Sequence, residues 1–113
     1  MGSFLSTKQL TEEEMVKAQE IVEELISNNK VVVFSKTYCP YCTKAKNLLK
    51  ELGIEFYAIE LDNEEQGAAI QQYLHDKTGQ RTVPNIFIAG QHVGGCDSLF
   101  AAKANGSLKK LLA

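Results

Sequence analysis

Short β-branched segments alternate with longer segments of helical periodicity along this chain, and this alternation restricts its fold more than any other feature. Residues 31–34 (VVVF) and 54–61 (IEFYAIEL) are predicted strands, each flanked by helical segments. Residues 86–88 and 91–93 are predicted to form a hairpin around an Ala-Gly turn. Helical crossovers imply parallel strands, whereas a hairpin is antiparallel. The order α-β-α-β-α-β-β-α therefore predicts an α/β fold, in which helices cover both faces of a four-stranded mixed sheet.

Capping residues predict where the helices begin. Thr11 and Glu14 have the spacing of a capping box, in which each side chain accepts a hydrogen bond from the backbone amide of the other residue. Asp62 or Asn63 is expected to cap the third helix, and Asp97 is expected to cap the fourth. Each of these residues stands just before a segment of helical periodicity.

The 113 residues and the formal net charge of −2 exclude several classes of function. We expect one domain over residues 1–113, with residues 1–10 as a flexible N-terminal extension. Nucleic acid is not an expected partner, because there is no excess of Lys and Arg. No apolar run approaches the roughly 20 residues of a membrane span, and no secretory signal is present. We therefore expect a cytoplasmic monomer. Residues 2–6 match the N-myristoylation pattern, which is short and often met by chance.

Two of the three cysteines, Cys39 and Cys42, follow a predicted strand and open a predicted helix over residues 40–52. Such a pair in a βαβ context is typical of thiol–disulfide chemistry, and its spacing allows a disulfide with little strain. Pro40 suits the first helical position, which makes Cys39 the N-cap. Amides and the helix dipole stabilise a thiolate there, so we expect Cys39 to be the nucleophile and a good leaving group. Cys42, deeper in the helix, is expected to ionise less readily and to act as the resolving thiol.

Two other interpretations of the cysteine pair are less well supported. A zinc site would need further ligands, and Cys96, His75 and His92 offer no second spaced pair, so no metal is expected. Two inert core cysteines would not require a helix-start position. Without an export signal the expected compartment is reducing, where a close thiol pair favours redox chemistry.

Three motifs, KTYCPYC, TVP and GGCD, occur in this order and give the chain its resemblance to a known family. The sequence from about residue 15 to residue 112 resembles the dithiol glutaredoxins, which have a Cys-Pro-Tyr-Cys centre. Thioredoxins would show Trp-Cys-Gly-Pro-Cys, and this chain has no Trp. The resemblance implies a thioredoxin-like fold and a glutathione-dependent thiol–disulfide oxidoreductase. Such an enzyme would reduce protein–glutathione mixed disulfides and protein disulfides through Cys39, with Cys42 as the resolving thiol.

The resemblance also implies a glutathione site built from several segments of the chain. Its residues would be Lys36, Tyr41, Gln71, Arg81, Thr82, Val83, Pro84, Gly95, Cys96, Asp97 and Ser98. The backbone at Val83, before a cis Pro84, would pair with the cysteinyl part of glutathione. The helix start at residues 97–98 would hold the γ-glutamyl carboxylate, and the Asp97 side chain would pair with the α-ammonium group.

At the other end of the site, Lys36, Gln71 and Arg81 would hold the glycyl carboxylate of glutathione, and Tyr41 would line the groove. Cys96 is expected to be a small apolar residue rather than a third redox thiol. We expect His75 and His92 to take no part.

Two other functions remain as alternatives. Some glutaredoxins bridge a [2Fe–2S] cluster between two chains through the first active-site cysteine and glutathione. Pro40 disfavours this function, because cluster-binding relatives usually carry a smaller residue there. A thioredoxin-type reductant, which would accept electrons directly from a reductase, is the third possibility.

Overall fold

A four-stranded mixed sheet organises the chain in this computed structural model, which describes residues 9–113. The strands are β1 (Val31–Ser35), β2 (Tyr57–Glu60), β3 (Asn85–Ile88) and β4 (Gln91–Gly94). They lie in the order β2-β1-β3-β4, with β2 parallel to β1 and β3 antiparallel to both β1 and β4. The predicted mixed sheet and its terminal hairpin are confirmed.

Within residues 9–113, five α-helices connect and cover the strands. They are α1 (Glu12–Asn28), α2 (Pro40–Glu51), α3 (Gly67–Thr78), α4 (Cys96–Asn105) and α5 (Ser107–Leu112). The predicted capping box is present at α1, because Glu14 N–H donates to Thr11 Oγ1 and Thr11 N–H donates to Glu14 Oε1. A single 3₁₀ turn (Leu61–Asn63) follows β2.

Alternate residues of the strands face two separate cores, one on each side of the sheet. Val31 and Val33 pack towards α2, α4 and α5, whereas Val32 and Phe34 pack towards α1 and α3. All five residues of β1 are buried, as expected for a central strand covered on both faces. The helices therefore flank both faces, as predicted.

Side-chain contacts join helices on each face of the sheet. On one face, Glu23 of α1 accepts hydrogen bonds from Tyr73 Oη at 2.5 Å and from Lys77 Nζ at 2.9 Å, both on α3. Burial and the bond to Glu23 raise the pKa of Tyr73 to about 12. On the other face, Lys44 Nζ of α2 lies 5.1 Å from the centroid of the Phe100 ring of α4. The contact between Lys44 and Phe100 joins α2 to α4, and both of these helices begin at the same edge of the sheet.

Two predicted helix caps are wrong. Helix α3 does not start after Asp62 or Asn63 but at Gly67, with Gln66 as its N-cap, because Asp62 lies in the 3₁₀ turn and binds another loop. Helix α4 starts at Cys96 rather than after Asp97, because β4 leads directly into it through an extended Gly95. Asp97 therefore lies in the first turn of α4 and does not cap it.

Residues 1–8, which include the myristoylation pattern at Gly2 and Ser6 and most of the predicted 1–10 extension, lie outside the described residues. Leu10 is described, and it packs against the core between α1, α3 and the sheet. Within residues 9–113, no helix is both long and apolar enough to span a bilayer.

Candidate active site

The junction between β1 and α2 presents the first cysteine of the pair. Pro40 occupies the start of α2 and Cys39 is its N-cap, as predicted. The N–H of Cys42 donates to Cys39 Sγ at 3.2 Å, so an amide of the first helical turn points at the sulfur. Cys39 is partly exposed, whereas Cys42 is buried. One thiol is thus accessible to a substrate and the other lies behind it.

The loop before Cys39 is tied to the loop that follows β2. Thr37 N–H donates to Asp62 Oδ1 at 3.0 Å, and Thr37 Oγ1 donates to Asp62 Oδ2. These bonds lower the pKa of the Asp62 carboxyl, and the nearby Lys36 ammonium acts in the same direction. Within the loop, Cys39 N–H donates to the Lys36 carbonyl at 3.2 Å. The backbone that carries Cys39 is therefore held from two sides.

A second loop faces Cys39 from across the site. The Val83–Pro84 peptide bond is cis, as predicted, and the Val83 carbonyl oxygen lies 3.7 Å from Cys39 Sγ. Gln80 Nε2 donates to the carbonyls of Thr82 at 2.9 Å and Pro84 at 2.8 Å. Gln80 thereby fixes the backbone on both sides of Val83. The Val83 amide has no hydrogen-bond partner among the described residues, so it is available to a ligand.

The entry into α4 forms the remaining wall. Gly94 has φ +119, and a Cβ there would lie 2.7 Å from Ser98 Oγ, so the position requires glycine. The three segments enclose a groove of about 350 Å³. The groove is lined by Tyr41, Thr82, Val83, Pro84, Gly95, Cys96, Asp97 and Ser98. The first residues of α4 and Val83 thus line the same space.

A smaller cavity of about 310 Å³ lies beside α3, lined by Ala68, Gln71, Gln72, His75 and Arg81. Gln71 Nε2 donates to the Arg81 carbonyl at 2.9 Å, and Arg81 Nη2 lies 3.5 Å from His75 Nδ1. Because Arg81 directly precedes Thr82, this cavity adjoins the groove. Gln71 and His75 support Arg81 from α3.

The two buried thiols differ from an ordinary cysteine. Burial, followed by the hydrogen bond with Cys39, raises the pKa of Cys42 to about 11. Burial also raises the pKa of Cys96, although the Lys44 ammonium opposes that shift. Cys42 and Cys96 are therefore held as neutral thiols at neutral pH. Cys39 alone among the three has its sulfur at a helix N-cap and partly accessible.

Comparisons with known proteins identify the family to which this site belongs. The sequence model of the family described as Glutaredoxin matches residues 31–93. Glutaredoxin-1 of Rhizophagus irregularis is 60% identical over 99 residues, which are 88% of this chain and 98% of the relative. The chain belongs to the glutaredoxin family. Among solved structures, a buckwheat glutaredoxin–glutathione complex is similar, with a TM-score of 0.89 and 48% identity, covering 91% of this chain and 94% of that one.

Glutaredoxin-C2 of Arabidopsis thaliana, 52% identical over 84% of this chain and 86% of the relative, is also similar. The chain is thus a dithiol glutaredoxin with a thioredoxin-like fold, and it is an oxidoreductase. Its paired thiols are Cys39 and Cys42, at the start of α2.

Eight of the eleven residues expected to bind glutathione line the groove of this glutaredoxin. Gln71 and Arg81 lie together in the adjoining cavity. Lys36 lines neither space; it lies in the loop before Cys39, where its ammonium is close to Asp62. The structure thus brings the predicted residues into one region, and their contacts with glutathione stay a prediction.

Two residues that shape the site were not predicted to do so. Asp62 was expected to cap a helix, but it binds the loop that precedes Cys39. The sequence motifs do not single out Gln80, although it binds the carbonyls of Thr82 and Pro84 on either side of Val83. Only the position of Gln80 in TGQRTVP, between the glycine that ends α3 and the cis-proline loop, could have indicated this role.

A cavity larger than the groove lies away from this site. A cavity of about 700 Å³ is lined by the end of α1, the end of α2 and the starts of β1 and β2. It lies at the opposite end of β1 from Cys39, and no cysteine lines it. Across residues 9–113, no three His, Cys, Asp or Glu side chains are grouped so as to hold a metal ion.

Proposed function

We propose that this glutaredoxin reduces protein–glutathione mixed disulfides and protein disulfides, with glutathione as the electron donor. The observation that carries the proposal is the position of Cys39 Sγ. It lies between the Cys42 amide, at 3.2 Å, and the Val83 carbonyl, at 3.7 Å, in a loop adjoining the groove. The similarity to the buckwheat glutaredoxin–glutathione complex supports glutathione as the ligand of the groove.

The groove and its surroundings offer a partner for each polar part of glutathione in this proposal. The Val83 amide and carbonyl pair with the backbone of the cysteinyl residue, next to the sulfur that reacts. The first amides of α4 bind the γ-glutamyl carboxylate, because a helix N-terminus favours anions, and Asp97 pairs with the α-ammonium. Lys36 and Arg81 bind the glycyl carboxylate, and Gln71 acts by holding the Arg81 backbone.

Reduction of a mixed disulfide then needs only one cysteine. The Cys39 thiolate attacks the glutathione sulfur, forming a Cys39–glutathione disulfide, and the protein thiolate leaves and takes up a proton. A second glutathione, as its thiolate, attacks the glutathione sulfur bound to Cys39. Glutathione disulfide forms and Cys39 leaves as a thiolate. The protein half of the mixed disulfide is thus reduced to a thiol at the expense of one free glutathione, which is joined to the glutathione from the substrate as glutathione disulfide. The enzyme returns to its initial state.

Reduction of a protein disulfide uses the second cysteine in this proposal. Cys39 attacks one sulfur of the substrate and forms a mixed disulfide with it. Cys42 then loses its proton and attacks Cys39, which closes the Cys39–Cys42 bridge and releases the second substrate thiol. Two glutathione molecules reduce the bridge. The cycle consumes reduced glutathione, so a reducing compartment such as the cytoplasm suits it.

The test is turnover of a mixed disulfide between glutathione and 2-mercaptoethanol, with formation of glutathione disulfide as the readout. We expect Cys42→Ser to remain active, because the second glutathione completes the cycle. Cys39→Ser should be inactive, because a serine hydroxyl is a negligible nucleophile without an activating base. With insulin as a disulfide substrate, Cys42→Ser should lose most of its activity.

If Cys42→Ser were as inactive as Cys39→Ser on the mixed disulfide, the one-cysteine route would be wrong. A thioredoxin-type dithiol reductant would then be the better description. Anaerobic reconstitution with iron and sulfide provides a further check, since a stable visible absorbance would favour the iron–sulfur function instead.

A further inference from the structure

Tyr38, the residue immediately before the nucleophilic cysteine, is the most exposed large hydrophobic side chain within residues 9–113, at 70%. Tyr41 is also exposed, at 62%, but it lines the groove. Tyr38 does not line the groove. A large aromatic ring thus projects into solvent beside Cys39, outside the space assigned to glutathione. Aromatic residues in such positions are enriched at protein–protein contacts.

The exposure of Tyr38 does not come from a loosely held loop. The preceding residue, Thr37, is bound through its amide and its hydroxyl to Asp62. The following residue, Cys39, donates its N–H to the Lys36 carbonyl and begins α2. The backbone on both sides of Tyr38 is therefore fixed. A tyrosine on a fixed backbone contributes a large contact area and loses little conformational entropy when a partner covers it.

The geometry of a mixed disulfide separates its two halves. Glutathione occupies the groove between Val83 and α4 in the proposed function, and its sulfur faces Cys39. The protein half is joined to that sulfur, and it must leave the site on a side that the groove does not occupy. Thr37, Tyr38 and Pro40 are exposed beside Cys39 and do not line the groove, and Tyr38 has the largest side chain of the three.

We propose that Tyr38 and Thr37 form a docking surface for the polypeptide around the glutathionylated cysteine of a protein substrate. This inference rests on the proposed function. The ring of Tyr38 contacts apolar or aromatic side chains that flank the modified cysteine, and the brace to Asp62 holds the ring in place. A mixed disulfide with a small thiol has no such flanking chain, so it makes no use of Tyr38. Tyr38 is thus a specificity residue for protein substrates.

Two substrates test whether Tyr38 serves protein substrates and not small ones. They are glutathionylated serum albumin and the mixed disulfide of glutathione with 2-mercaptoethanol. We expect Tyr38→Ala to lower kcat/KM for the albumin substrate by about tenfold, mainly through KM, as for an aromatic contact at an interface. Its kcat/KM for the small substrate should stay within about twofold of the wild type. Tyr38→Phe should resemble the wild type on both, because the ring is kept.

Tyr57→Ala is the matched control, since Tyr57 is a second exposed tyrosine, at 45%, and lies on β2 beside the distant cavity. It should leave both activities unchanged. If Tyr38→Ala lowered kcat/KM equally for both substrates, the inference would be overturned, because Tyr38 would then act on the fold or on Cys39. Unchanged activity on both would also overturn it. If the wild-type protein did not turn over the small mixed disulfide, the proposed function itself would be overturned. That result can be told apart from any result obtained with Tyr38→Ala.

Discussion

The raised pKa of Cys42 predicts how the rate of bridge closure depends on pH. When Cys39 carries glutathione, the Cys42 thiolate must attack Cys39 and expel glutathione, so closure requires ionised Cys42. Burial is the largest cause of the pKa of about 11, and it persists when Cys39 is in a disulfide. We therefore expect the closure rate to rise nearly tenfold per pH unit between pH 7 and pH 9.

The pKa of about 11 also determines how much less reactive Cys42 is than an ordinary thiol. At pH 7 a thiol of pKa about 11 is ionised in about one molecule in 10⁴, against about 3% for an ordinary cysteine of pKa ~8.5. The population of thiolate is thus roughly 300-fold smaller. The more basic thiolate is about 13-fold more nucleophilic, because intrinsic nucleophilicity rises by ~0.4–0.5 log unit per pKa unit. Cys42 is then about twentyfold less reactive than an ordinary thiol at pH 7, before its proximity to Cys39 is counted.

Rapid mixing of the reduced protein with glutathione disulfide measures closure directly. The reaction is stopped with acid at increasing times, and intact mass separates the glutathionylated protein from the bridged form. Cys42→Ser is the control, because it should accumulate the glutathionylated form at every pH without further change. A closure rate that began to level off near pH ~8.5 would refute the reasoning, since Cys42 would then ionise like an exposed cysteine.

Three further predictions follow from other contacts. Asp62→Ala should lower kcat severalfold because both hydrogen bonds to Thr37 are lost. Asp62→Asn, which keeps an oxygen for the Thr37 amide, should have a kcat near that of the wild type. An equal loss of kcat in both variants would indicate that the charge of Asp62 matters instead. Gly67→Ala should lower the free energy of unfolding in urea by about 1–3 kcal/mol, because its Cβ would lie 1.9 Å from the Leu61 carbonyl oxygen; a stabilised variant would contradict the clash. Asp97→Ala should raise KM for glutathione with little change in Tm, since Asp97 does not cap α4; a large fall in Tm at constant KM would contradict a binding role.

The elements themselves could be predicted because local chemistry determines them. The capping box at Thr11 and Glu14, and Pro40 at the first position of α2, are signals carried by a few adjacent residues. The alternation of strands with helices then leaves few topologies for four strands. For the same reason the cysteine pair and its place at a helix start were evident without the structure.

One of the two wrong helix starts, that of α3, depends on a contact between distant residues. Asp62 has the chemistry of an N-cap, yet it binds Thr37, 25 positions earlier in the chain. Nothing in the local sequence shows that the two loops meet. Gln80 was missed for a related reason, since its amide reaches carbonyls of a loop whose path is set by a cis peptide bond and by the strands. Side-chain bonds between loops therefore need the tertiary structure.

The order of strands explains why four separate segments converge on Cys39. Strands β1, β2 and β4 all run towards one edge of the sheet, and β3 runs away from it, so three strand ends and one strand start meet there. The register pairs Ser35 with Glu60, Phe34 with Asn85 and Ile86 with Gly94.

Each pairing places one part of the site. The first brings the loop that carries Asp62 against the loop that carries Thr37, and the second sets Val83 and Pro84 across from Cys39. The third brings the start of α4 beside them. A slip of one residue in any ladder would turn buried strand residues to the opposite face. The packing of the two cores therefore fixes the register, and the register fixes the distance between Cys39 and the groove.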